Sequence, residues 1–203
     1  MTKKSVIEQV EGVYRVLRLS RLRQTPGVSF DVLPPRLVPQ VDAVDRVIHE
    51  AGALSPGPVG EIERPWYMHP DQADHLMVLD GKRYVDLYSP LVGRMISFEV
   101  EPDRVVRMRG APSASSGAWE NINSDAFSGS DMIWEEACLL VWPRGVFHRI
   151  RSDEATGSKS VNLATHYPGF DIETNFSIYN LDTETGEHRV IREGAADQMA
   201  LPE

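Results

Sequence analysis

Apolar and polar positions alternate along most of the chain beyond residue 60, and that period of two predicts strands. Residues 82–89 and 94–100 alternate cleanly, 104–108 is a shorter piece of the same kind, and 133–142 ends abruptly at Pro143-Arg144-Gly145. Residues 148–151 and 160–166 read as a hairpin closed over the turn residues between them. Residues 176–181 and 188–192 read as another, around Asp182-Thr-Glu-Thr-Gly-Glu187. Residues 110–130 are rich in Gly, Ser, Ala and Asn, with Trp119 and Phe127 as large anchors, and predict one long loop of the kind used as a lid.

The first 60 residues differ. Residues 10–19 fit neither period and predict a strand or a short helix. Residues 42–51 predict a helix, with Val44, Val47 and Ile48 on one face and Gly52 as its stop. A Pro/Gly connector follows to Gly60. Many short strands with Gly, Pro, Asn and Asp turns predict an all-β barrel or sandwich. The expected organisation is an N-terminal extension containing a short helix (1–60), a barrel (61–195) and a tail (196–203).

Composition narrows the partners. The 203 residues carry a net charge of −9, which argues against a nucleic-acid backbone as ligand. Arg15, Arg18, Arg21 and Arg23 form a local basic exception, expected to be a solvated face. The lone Cys138 sits in an apolar run and is expected to be a buried small hydrophobe. No apolar stretch approaches the roughly 20 residues of a membrane span, and the first residues lack a signal-peptide core, so a cytoplasmic location is expected.

Candidate chemistry concentrates in two places. His69, Asp71, Asp74 and His75 fall within seven residues, just before an apolar run that ends at Gly81. The second place is residues 138–148, again an apolar strand, a tight turn and a histidine, His148. Imidazoles and carboxylates together suit Fe, Mn, Ni, Co or Zn, so a divalent metal ion is the expected cofactor. Strand alternation puts Asp74 and His75 on opposite faces, so only one of them points inward in a regular strand. His166 ends another strand and is a candidate catalytic residue beside His148; His188 is expected to be exposed.

Pro143-x-Gly145-x-x-His148 resembles the second motif of the cupin superfamily, with Ala137 and Ser152 where that motif has Gly and Asn. Counting back from Gly81, the first cupin motif places Asp74 at the glutamate ligand, His69 at the second histidine and Tyr67 at the first. A one-residue slip instead brings His69, Asp71 and His75 into the ligand positions. The resemblance spans residues 60–170 and implies a double-stranded β-helix (jelly-roll) barrel. It implies metal ligands drawn from His69, Asp74, His75 and His148, and a homodimer. It also implies a metal-dependent enzyme acting on a small polar molecule, by dioxygenation or by sugar or hydroxy-acid isomerisation. Arg83, Arg94, Arg144 and Arg149 are candidate anchors for a substrate carboxylate or phosphate. Two other readings stay open: a metal-free small-ligand-binding module, and a nucleotide-sugar epimerase-like cupin working through a His acid–base pair.

Overall fold

The computed structural model describes residues 4–38, 40–108 and 131–197. The N-terminal part supplies β1 (Val6–Val10), β2 (Tyr14–Arg18), β3 (Ser20–Thr25), β4 (Val28–Val32), β5 (Ala43–His49) and β6 (Leu54–Ser55). Then come β7 (Trp66–Met68), β8 (Gln72–Gly81), β9 (Arg83–Ser89), β10 (Arg94–Glu101) and β11 (Arg104–Met108). The long loop expected over 110–130 lies outside the described residues. Beyond it are β12 (Met132–Trp134), β13 (Cys138–Trp142), β14 (Phe147–Ser152) and β15 (Ser158–His166). A single helical turn, α1 (Ile172–Asn175), precedes the β16 (Ile178–Leu181) and β17 (His188–Arg192) hairpin.

The strands form two main sheets, ordered β1-β2-β13-β8-β15-β5 and β12-β11-β10-β9-β14-β7-β16-β17, with β6 also on β14. Within them, β5-β15-β8-β13 faces β7-β14-β9-β10. Along the chain, β5, β7, β8 and β9 alternate between sheets, as do β13, β14 and β15. That order is the two-Greek-key jelly roll, so the fold is the cupin-like barrel.

Period-two alternation builds the core between the sheets. Leu76 and Val78 of β8, Leu140 of β13, Val85 and Leu87 of β9, and Phe98 and Val100 of β10 all point inward and are buried. The inward series on β8 continues through Asp74 to Gln72, which are also buried. The barrel thus has an apolar floor and a polar upper layer. Opposite parity sends His75 and Met77 to the outer face, where Leu17, Leu139 and Val141 pack with Leu33, Leu37 and Val38.

Three expectations are corrected. Residues 42–51 contain β5, a strand of the jelly roll, rather than a helix. Val44 and Ile48 share a face in either period, and β-branched side chains with β15 beside them settle it as strand. Residues 148–151 and 160–166 do not pair: β14 and β15 belong to opposite sheets, and the 153–157 connection carries the chain across the barrel edge. Residues 133–142 divide into β12 and β13, which lie in different sheets. Residues 10–19, left open as strand or helix, span the end of a β1–β2 hairpin turning at Gly12.

The first 60 residues are woven into both sheets, β1, β2 and β5 into one and β6 into the other. The β3–β4 hairpin pairs only with itself and exposes Leu22, Val28, Phe30 and Val32. In that region Arg21 pairs with Asp31, Arg23 lies over the Phe30 ring at 3.8 Å, and Arg18 pairs with Glu136. The arginine cluster is therefore partly committed to ion pairs and a cation–π contact. Cys138 is buried, and burial pushes its thiol up to about 12, so it remains a neutral apolar side chain.

Gly81 ends β8 where β15 presses closest. Its φ is +71°, and a Cβ there would lie 2.2 Å from the Gly157 carbonyl oxygen. Gly81→Ala combines left-handed strain with a backbone clash, and is expected to cost on the order of 2–4 kcal/mol. Urea titration checks this; an unchanged midpoint would show that the edge relaxes freely.

Candidate functional site

His69 follows β7, Asp74 lies on β8, and His148 is the second residue of β14. The Gly145 N–H donates to the His69 carbonyl at 2.8 Å, tying the β13–β14 turn to the first segment. Gly145 has φ +79°, a conformation costly for residues with a Cβ, which gives the Pro-Arg-Gly turn its physical reason. β14 lies between β7 and β9, with His148 opposite Tyr67 and Leu87. On the facing sheet Asp74 pairs with Trp142 and Ala164. One ligand atom from each of His69, Asp74 and His148 lies within 4.8 Å of the others, and all three residues are buried.

The partners of each side chain fix which atoms face the centre. His69 Nδ1 is 2.6 Å from the Asn175 carbonyl. A carbonyl only accepts, so Nδ1 carries the proton and Nε2 presents a lone pair. His148 Nδ1 makes a longer contact of 3.4 Å with the Val146 carbonyl, favouring the same tautomer. Asp74 Oδ1 accepts from Gln72 Nε2 at 2.7 Å and Asn162 Nδ2 at 2.8 Å. Asp74 Oδ2 is buried with no hydrogen-bond donor among the described residues, 3.5 Å from His69 Nε2. Three acceptors therefore converge with no proton of their own between them.

The electrostatics follow from that convergence. Burial works to raise the Asp74 pKa, but the positive charge that His69 or His148 carries when protonated, together with the Asn162 and Gln72 amides, holds it below the usual carboxylate value. Burial, reinforced by the neighbouring His69, pushes His148 down to about 3 against the opposing pull of Asp74, so its ring is neutral at ordinary pH. A deprotonated carboxylate beside the neutral His148 ring is the protonation state a divalent metal requires of those two groups.

The other candidates lie elsewhere. His75 points to the outer face, its Nδ1 2.7 Å from the Leu163 carbonyl, and does not join the cluster. Burial lowers its pKa. Asp71 pairs with Arg144 at 3.2 Å beside the cluster. His166 shares the inner face with Asp74 but sits at the rim, 3.0 Å from Asp42 and with its ring tilted against Phe170. His188 is exposed, as expected from its place in the terminal hairpin. Arg149 is held by Asp86 against Trp66 outside the barrel. Arg83 is buried towards the floor, donating to Ser158 Oγ and the Val47 carbonyl.

Tyr67, Trp142 and Phe176 wall the cluster, with ring centroids 5.9 Å (Tyr67) and 5.1 Å (Trp142) from His148, and 5.1 Å (Phe176) from His69. Gln72, Asn162 and Asn175 were not singled out from the sequence. Gln72 was findable, because it lies two residues before Asp74 and so shares its face. Asn175 additionally donates to Gln72 Oε1 at 2.9 Å, chaining the carbonyl that orients His69 to the amide that orients Asp74.

The donor set fits a divalent transition metal. Nitrogen and oxygen donors at about 2.1 Å from a metal stand roughly 3–4 Å apart, so a small inward movement of the widest pair completes the fit. Each ligand side chain has an outer partner on its far atom and a lone pair towards the centre, the arrangement typical of metal-binding histidines and carboxylates.

No family model and no curated protein matches the chain. Solved structures of low identity do. The rmlC epimerase of Mycobacterium tuberculosis is 14% identical over 80% of this chain and 67% of its own, with a TM-score of 0.49. A dTDP-4-dehydrorhamnose 3,5-epimerase from Elizabethkingia anophelis is 9% identical over 82% and 73%, with a TM-score of 0.48. QdtA, a sugar 3,4-ketoisomerase from Thermoanaerobacterium thermosaccharolyticum in complex with TDP, is 10% identical over 80% and 85%, with a TM-score of 0.47. The jelly roll itself rests on the strand order described above. Among the described residues no helix is long and apolar enough to cross a membrane.

Proposed function

We propose that this chain is a metal-dependent cupin enzyme acting on a small polar molecule, with His69 Nε2, Asp74 Oδ2 and His148 Nε2 as ligands. The observation that supports it is the buried Asp74 Oδ2, which lacks a donor among the described residues and faces an imidazole lone pair. Leaving such a carboxylate oxygen unpaired is costly unless a cation balances it. A divalent metal bound there supplies Lewis-acid polarisation of a substrate carbonyl or hydroxyl, or oxygen activation if it is iron. The protein's own work is orientation. Asn175 holds the His69 tautomer, Gln72 and Asn162 turn Oδ1 away, and Tyr67, Trp142 and Phe176 keep the centre dry. With three protein ligands the coordination sphere stays open to substrate.

Elemental analysis of untagged protein tests the proposal. Near-stoichiometric Fe, Mn, Ni, Co or Zn that disappears in His69→Ala and His148→Ala is the expected result. Metal-free wild-type protein, even after reconstitution, would overturn it. Asn162→Ala removes one of the two amides holding Oδ1, and is expected to weaken metal affinity by about 10–100-fold. Competition with a chelator measures that change, and an unaltered affinity would assign Asn162 a packing role only.

A second reading is favoured by one distance. The 3.5 Å between His69 Nε2 and Asp74 Oδ2 is also an ion-pair distance once the ring carries a proton. His69 would then act as acid or base in metal-free isomerisation, with Asp74 stabilising its charged form. Turnover by metal-stripped protein would select this reading.

A further inference from the structure

The outer face of the β1-β2-β13-β8-β15 sheet carries a recess separate from the cluster inside the barrel. Register explains its place. Gln9, Arg15, Val141, His75 and Leu163 are successive partners across these five strands, so they form one row on the outer face. The next row towards Leu17 and Leu139 is roofed by Leu33, Leu37 and Val38. On the other side the small Ala73 and Thr165 lie opposite one another and leave the surface low. The result is a cavity of about 310 Å³, lined by Arg15, His75, Thr165, Val141, Glu11 and Tyr167 among others.

Two polar groups in this recess lack partners. His75 is 3% exposed and its Nδ1 is spent on the Leu163 carbonyl, which makes Nε2 an acceptor that no described residue satisfies. Arg15 forms no ion pair with a described residue. Glu11, at the exposed rim, is held by Gln9 Nε2 at 2.5 Å. A guanidinium asks for a carboxylate. An unpaired imidazole acceptor at the wall of a recess takes an N–H or O–H donor. Val10, Val13 and Pro143 supply apolar wall for the rest of the ligand.

We propose that this recess is a second ligand site, taking a small carboxylate that also carries a hydrogen-bond donor, an amino acid or a hydroxy acid. The carboxylate pairs with Arg15, the donor reaches His75 Nε2, and the carbon body lies against the apolar wall. The rim carboxylate of Glu11 favours an ammonium over a hydroxyl. The site works independently of the metal centre, because β8 presents His75 and Asp74 to opposite faces.

Three probes of one shape test it: phenylalanine, phenyllactate and 3-phenylpropanoate, added to the full chain labelled with ¹⁵N-histidine. Phenylalanine and phenyllactate are expected to shift the His75 side-chain nitrogens, and 3-phenylpropanoate, lacking the donor, to bind about tenfold more weakly. Tighter phenylalanine identifies an amino acid as the ligand class, and tighter phenyllactate a hydroxy acid. Arg15→Gln is expected to weaken binding at least about tenfold, with partial rescue in Arg15→Lys. Its metal content should match the wild type. No His75 shift with any probe at about 10 mM, equal binding of 3-phenylpropanoate, or an undiminished response in Arg15→Gln would each overturn the proposal. If Arg15→Gln does not fold, the three probes on the wild-type chain decide alone.

Discussion

Asparagine in place of Asp74 is expected to give a folded protein that no longer retains a metal ion. Asp74 Oδ1 already accepts from Gln72 and Asn162. An asparagine oxygen can take over that position, which directs its amide nitrogen to where Oδ2 now stands. That nitrogen would donate towards the His69 Nε2 lone pair, currently 3.5 Å from Oδ2. The substitution therefore replaces a clash of acceptors with a donor–acceptor pair, and removes a buried charge whose desolvation is costly. Metal-free Asp74→Asn should melt close to the metal-free wild type, the relieved acceptor clash offsetting the surroundings that favour the ionised carboxylate. Its metal affinity should fall by more than the roughly 10–100-fold expected for losing an outer partner. Scanning calorimetry and elemental analysis on the same preparations measure both. A variant that melts far below the metal-free wild type would show that the carboxylate is needed for folding, and one that keeps its metal would remove Asp74 from the ligand set.

Acid should destabilise the metal-free protein well above the range where carboxylates titrate. His148 is pushed down to about 3 in the folded chain, by burial first and then by His69, against 6.5 when unfolded. Between those values the unfolded chain binds the extra proton, so stability rises with pH and is lost as pH falls below about 6.5. One such proton corresponds to ~1.4 kcal/mol per pH unit, or on the order of 2 kcal/mol by pH 5. His49, pushed down to about 4 by burial and then by Arg83, adds in the same direction, though less because it is partly solvated. Asp74 acts lower, since its depressed pKa makes its contribution available above the usual carboxylate value and lost only beneath it. Urea midpoints of chelator-treated protein at pH 7.5 and pH 5 measure the sum. A flat profile would mean that His148 takes up its proton without unfolding the barrel.

The strand-rich half was legible because β9 and β10 alternate in the way that marks strands with one face on the core, whereas β8 reads as a continuous apolar run because its outer face is covered as well. β5 was not legible. Val44 and Ile48 stand four apart, which satisfies a helix face and a strand face equally, and the arbiter is the distant partner β15. The supposed 148–166 hairpin failed for a topological reason: a jelly roll sends consecutive strands to opposite sheets through turns as short as hairpin loops.

Of the ligand set expected by resemblance, His69, Asp74 and His148 meet, and parity decides between Asp74 and His75 in favour of the aspartate. Parity could be read locally once the register was known. Asn162 and Asn175 could not, because they approach through pairings far away in sequence, and polar residues of their type are common at exposed positions. The recess around His75 was equally hidden, since its depth comes from where residues 33–38 stop covering the sheet.

The two halves of the cluster come from the β7–β8 segment and from β14, which bracket five other strands and residues 109–130. Neither half is near the other in sequence, and β13, which pairs with β8, leads directly into β14 and His148. Loop closure is paid before such distant pairings repay it, which makes this a slow-folding topology. The ring of Trp142 lies 5.1 Å from His148 and becomes buried in the same closure. In a variant that keeps Trp142 and replaces the other three tryptophans, indole emission would therefore report this closure, and a collapsed chain with β8 and β9 alone in place would be blind to metal.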